Sequence, residues 1–116
     1  MQPDRRGTRR KYMMFYTRVF DAVTGTALGH LVDITPEGAM LISEHPLPAD
    51  TDYRLRIELS SEEADKPFLE FDSRCLWCRP DVNPRFYNAG FQLLNLPAED
   101  IAIIERIVEA YGFRDN

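Results

Sequence analysis

The sequence is short of the residue types on which most catalytic and metal chemistry rests. Two cysteines and two histidines occur in 116 residues. Two cysteines cannot build a disulfide framework, which excludes a small disulfide-stapled secreted domain. The longest apolar run is the five residues 12–16, far below the roughly 20 that cross a bilayer as a helix. No apolar stretch follows the basic N-terminus as in a secretory signal. G-x-S-x-G, the P-loop and G-x-G-x-x-G are all missing. No residue set offers nucleophile, base and orienting partner together, so an enzyme is not expected. These absences read as a cytoplasmic protein, with no membrane partner, in a reducing compartment.

What is present is ordinary globular material. Hydrophobic residues make up 44% and charged residues 28%, enough for one core in a chain of this length. Charge is unevenly spread. Fourteen Lys and Arg against nineteen Asp and Glu give −5. Residues 1–11 carry Arg5, Arg6, Arg9, Arg10 and Lys11 against Asp4, five bases to one acid, which is +4 and leaves −9 for residues 12–116. Residues 1–11 lack hydrophobic periodicity and contain Pro3 and Gly7, so they read as a flexible basic arm on a folded body. Such an arm is often only a solubilising tail. Its arginines also present planar donor forks that suit phosphates. The −9 body repels a long polyanion, so no extended nucleic acid is expected as a partner.

The order of elements reads as strands and then one helix. Strands are expected at 12–21, 27–35, 39–42, 53–59, 68–79 and 86–94, separated by Gly- and Pro-bearing turns and a polar loop at 60–67. The clearest is 53–59, where Tyr53, Leu55, Ile57 and Leu59 alternate with Arg54, Arg56 and Glu58. After Pro97 the period changes. Ile101, Ile104, Val108 and Tyr111 form one helical stripe, with Glu99 and Asp100 at the positive end and Gly112 as a stop. The fold class is all-β dominated: a six-stranded antiparallel β-barrel closed by a C-terminal α-helix.

Several side chains are candidates for chemistry. His30 shares strand parity with Leu28, Val32 and Ile34, which predicts a partly buried, satisfied histidine. His45 falls in a Pro-rich loop. Cys75 and Cys78 form C-x-x-C, but inside a strand their side chains should leave opposite faces, so neither metal nor redox use is expected. Trp77 shares parity with Leu69, Phe71 and Cys75, which predicts core packing. Two segments say more. R-x-x-x-R occurs twice in the arm, as Arg5 with Arg9 and as Arg6 with Arg10. D-x-T-x-x-G follows at a strand end, as Asp33, Thr35 and Gly38, with Asp33 and Thr35 projecting together from the polar face. Simple turn chemistry would account for the second motif alone.

In this order and at this separation, the two motifs resemble those of the PilZ domain family. The resemblance runs over nearly the whole chain. Leu76-Trp77 is similar to the family's V-x-W segment, and Gly90-Phe91-Gln92-Leu93 to its final G-x-x-F strand, with Leu93 in place of Phe. The family fold is a six-stranded antiparallel barrel with a C-terminal helix, in agreement with the reading above. The resemblance implies a bacterial receptor for cyclic di-GMP, with no other cofactor. It implies ligand binding by Arg6 and Arg10, with Arg5 and Arg9 as the competing register, and by Asp33, Thr35 and Gly38. Thr35 stands where Ser is usual; it keeps the hydroxyl and adds a methyl. An effector protein would read the ligand-dependent surface. The alternative is a nucleotide-independent PilZ-like protein-interaction module.

Overall fold

The computed structural model describes residues 17–59 and 66–111. Six strands and one helix follow in chain order: β1 (Arg18–Asp21), β2 (Ala27–Ile34), β3 (Gly38–Ser43), β4 (Thr51–Glu58), β5 (Phe68–Pro80), β6 (Tyr87–Leu94) and α1 (Ala98–Tyr111). The strands close into a barrel in the order β1-β2-β3-β6-β5-β4. β4 pairs back onto β1, and every pairing is antiparallel. The expected fold class is therefore the observed one. The parts of the expected strands and loop at 12–16 and 60–65, and the Gly112 stop, lie outside the described residues.

Local chemistry sets the turns. Asp21 Oδ1 accepts from the Val23 and Thr24 N–H groups (2.8 and 3.3 Å), and Gly25 adopts φ +79° to complete the β1–β2 turn. A proline fixes φ near −65° and suits a turn. Pro36 and Glu37 accordingly form the tip of the connection between β2 and β3, closed by Thr35 N–H donating to Gly38 O (2.8 Å).

Alternation fills the barrel. β4 buries Leu55 and Ile57, and β5 buries Leu69, Phe71, Ser73 and Cys75. The outward residues of the same strands form cross-strand ion pairs at directly opposed positions: Arg74–Asp52 (2.7 Å), Arg54–Asp72 (2.9 Å) and Arg56–Glu70 (2.7 Å). Arg18 of β1 continues the row with Glu58 (3.2 Å). This wall is charged and internally neutralised.

The helix buries Ile103, Ile104, Ile107 and Val108 in the same core. The apolar stripe is thus rotated from the expected one. Ile101 is only half-buried, because Asp100 takes the inward place at the first turn, where Lys66 Nζ donates to its carboxylate (3.0 Å). The Tyr111 side chain lies outside the described set.

Three irregularities break strict alternation. One lies in the β1–β2 ladder between Val19 and Phe20. In β2 the register with β3 shifts between Leu31 and Asp33, so Leu31 and Val32 are both buried. His30 consequently faces outward and is exposed, not partly buried as parity predicts. In β5 the register with β6 shifts between Cys75 and Trp77. That shift overturns two further expectations. Cys75 and Cys78 do not face opposite ways: Cys75 is in the core, and Cys78 packs against it with its Sγ accepting from the Leu47 N–H (3.3 Å). Trp77 leaves the core and lies against the outside of the barrel, half-exposed.

Candidate functional site

The outer face where β2, β3, β5 and β6 adjoin carries a shallow concavity of about 230 Å³. Its polar wall is Asp33, Thr35 and Gly38; its apolar wall includes Met40, Leu76 and Trp77. The three residues of the D-x-T-x-x-G motif therefore meet in one place. The four candidate arginines, Arg5, Arg6, Arg9 and Arg10, lie outside the described residues.

Each wall has a local cause. Thr35 Oγ1 accepts from the N–H groups of Glu37 and Gly38 (both 3.3 Å), so the hydroxyl organises the turn that bounds the site. Asp33 lies at the end of β2 opposite Met40, with its Oδ1 screened from solvent. A carboxylate so placed is an acceptor for polarised N–H groups. Gly38 cannot be substituted freely, since a Cβ there would sit 2.8 Å from the Phe91 carbonyl oxygen.

Trp77 is the residue that the sequence reading misplaced. The extra residue in β5 carries Leu76 and Trp77 onto the outer face, and Leu76 is 48% exposed. The indole then lies over β6 at Gly90, where a Cβ would overlap the ring nitrogen and its neighbouring ring carbons. The Arg79 guanidinium stacks over the ring, 4.7 Å from the centroid. A signal was present in the sequence: Cys75-Leu76-Trp77-Cys78 has no polar–apolar alternation, which leaves its facing undetermined.

The geometry offers acceptors, hydroxyl and backbone groups on one side and an aromatic plane with a cation on the other. That combination suits a flat, hydrogen-bonding, anionic molecule. Among the described residues no group of three or more His, Cys, Asp and Glu side chains is arranged to hold a metal ion. No helix among them is long and apolar enough to cross a membrane.

Comparison with known proteins agrees with the barrel. The chain resembles the PilZ domain of Escherichia coli YcgR solved with c-di-GMP, at 14% identity and TM-score 0.63, over 84% of this chain and 81% of that one. It resembles the Bacillus subtilis inhibitor of motility MotI/DgrA at 12% identity and TM-score 0.64, over 86% of this chain and 48% of that one. It resembles Borreliella burgdorferi PlzA, solved in complex with c-di-GMP, at 13% identity and TM-score 0.53, over 100% of this chain and 51% of that one. At such identities these structures share the fold, and the chain spans about half the length of the last two. No curated protein sequence matches significantly. The model of the PilZ domain matches residues 4–110, from the basic arm to the end of the helix, and the chain belongs to the PilZ domain family.

Proposed function

We propose that this chain is a receptor for cyclic di-GMP and not an enzyme. The nucleotide is held between the R-x-x-x-R of the arm, with Arg6 and Arg10 as the working pair, and the wall made by Asp33, Thr35 and Gly38. The reading rests on one observation above all: the three D-x-T-x-x-G residues line a single concavity in a chain whose family match begins at residue 4, and so includes the arginines.

The chemistry is consistent at each contact. Guanine presents O6 and N7 as paired acceptors, which an Arg fork meets with two donors. Guanidinium groups also clamp phosphates and stack on bases. The guanine N1 and N2 hydrogens need an acceptor, and Asp33 supplies a carboxylate. Gly38 keeps the turn free of a side chain that would fill the concavity.

Reach supports the same reading. Leu31 N–H donates to Thr17 O (2.9 Å), so the chain enters the barrel beside β2. β1 and β2 are antiparallel, so Thr17 stands on the side of β1 nearest the Asp33 end of β2. Arg10 precedes Thr17 by seven residues, a reach of at most about 25 Å. Leu31 to Thr35 spans about 13 Å of strand. Ligand bound on this face would reshape its surface, and an effector protein would read the change.

Calorimetric titration with cyclic di-GMP tests the proposal, with GTP, GMP and cyclic di-AMP as controls. Wild type is expected to bind cyclic di-GMP selectively. Arg6→Ala/Arg10→Ala is expected to lose about 30- to 150-fold for each charge-assisted contact removed, or about 2–3 kcal/mol. Undiminished binding by that variant would assign the site to Arg5 and Arg9. No heat with wild type at high ligand concentration would favour the nucleotide-independent interaction module.

A further inference from the structure

A second cavity, of about 590 Å³, lies where the start of β2, the end of β3 and the residue before β6 adjoin. It shares no residue with the concavity at Asp33, Thr35 and Gly38. Leu28, Ile42 and Phe86 give it an apolar lining, and the exposed Glu44 stands on its wall. Its backbone is closely set: Gly29 lies so near β3 that a Cβ there would overlap the Ile42 carbonyl oxygen. An apolar hollow with a charged group on its wall is the form that receives an anchoring side chain.

The same end of the barrel presents an apolar knob. Val82, in the turn between β5 and β6, is 100% exposed. The turn is held in place around it. Asp81 N–H donates to Phe86 O (2.9 Å) and Phe86 N–H to Asn83 O (3.0 Å). Asn83 N–H donates to Asp81 Oδ2 (3.1 Å), Arg85 N–H to Asn83 Oδ1 (3.0 Å) and Asn88 Nδ2 to Asp81 Oδ1 (2.9 Å). A knob already fixed by its own turn loses little freedom on docking. Phe86 belongs to both features, since it closes this turn and lines the cavity. Knob and hollow are therefore neighbours on one surface.

Charge follows the same division. The hollow carries Glu44, and the knob turn carries Arg85, whose guanidinium lies 5.7 Å from the Phe86 ring centroid. Among the described residues neither Glu44 nor Arg85 forms an ion pair. A partner of one sign would leave one of them unmatched. A surface that bears knob and hollow, and both signs, complements itself, as a twofold interface requires.

We propose that a second copy of this chain docks here. The Val82 of each copy enters the hollow of the other, and the Arg85 of each pairs with the Glu44 of the other. The proposal does not rest on the receptor reading.

Sedimentation equilibrium of the full chain, over a range of concentrations, tests it. Wild type is expected to form a reversible dimer. Val82→Asp, at a fully exposed position, keeps the wild-type circular dichroism. It drives a carboxylate into the apolar hollow, so the dimer is expected to weaken by about tenfold or more. Glu44→Arg and Arg85→Glu each set like charges face to face twice across the axis and are expected to weaken the dimer similarly. An equimolar mixture of those two variants is expected to dimerise again, because every contact then pairs an arginine with a glutamate. Wild type that sediments as a single chain at every concentration would overturn the proposal and leave the hollow to a different partner. A dimer that Val82→Asp leaves as tight as before would overturn it too. Single charge variants as tight as wild type, or a mixture that stays weak, would overturn the Arg85–Glu44 pairing and with it the twofold arrangement.

Discussion

Single positions decide the shape of the candidate site. Gly90 is the clearest, because the Trp77 indole occupies the place of a Cβ. Gly90→Ala should lift the indole from β6 and destabilise the fold by about 1–3 kcal/mol, the usual cost of overpacking. Urea denaturation measures that loss, and tryptophan emission reports the displaced ring at the same time. An unchanged midpoint would mean that the indole has room to shift. Thr35 works differently. Its hydroxyl already accepts two turn N–H groups, so the departure from Ser leaves the turn chemistry intact. Buried Cys75 illustrates a third case: burial raises its thiol pKa, and nearby Cys78 adds to the shift. It is a core residue that happens to be a cysteine.

At the scale of elements, the helix and the ion-pair wall contribute unequally. Ile104 and Ile107 are 0% and 1% exposed. Truncating either to Ala should cost about 2–5 kcal/mol, since the transfer and cavity terms add. That is a large share of the 5–15 kcal/mol typical of a domain, and thermal unfolding would show it directly. Arg74→Ala makes the opposite case. Arg74 holds the Asp52 carboxyl below its ordinary pKa, yet the pair is exposed to solvent, and isolated surface pairs contribute little. Its removal should leave the thermal midpoint nearly unchanged. The wall matters more for what it excludes. Its cations are already matched by carboxylates, so an anionic ligand gains little there, which makes the β2–β3–β6 face the better candidate.

For the molecule as a whole, stability should be flat across neutral pH and fall at both ends. Burial raises the pKa of Tyr53 and Cys75. Protons are then held more tightly in the folded state. The stability this contributes is intact below the unfolded thiol's ordinary 9.0 and declines as pH climbs from there toward the folded values. Hydrogen bonds from Arg74 to Asp52 and from Asn88 to Asp81 lower those carboxyl pKa values. Their contribution, small because both carboxyls are exposed, is present above the ordinary 3.8 and is lost as pH falls below it. Urea midpoints measured from pH 3 to pH 11 check both limbs. A midpoint that stayed level above pH 10 would contradict the alkaline one.

Much of this was legible in the sequence for a physical reason. Alternation in 53–59 and 68–75, turn residues at Gly25 and Pro36, and a change of period after Pro97 are local properties of the chain. They fix which residues form strands, where the chain turns, and that one helix closes the fold. The D-x-T-x-x-G motif was equally local, because Asp33 and Thr35 share a face by parity alone. What the sequence could not carry was the facing of residues beyond an irregularity. A one-residue shift in pairing inverts every later side chain, and pairing is made with a distant strand. Only the ladder of β5 with β6 put Trp77 outside and Cys78 inside, and only the ladder of β2 with β3 exposed His30. The chain determined the elements and the polar half of the site. The closed barrel decided the aromatic half, because that half depends on which strands meet.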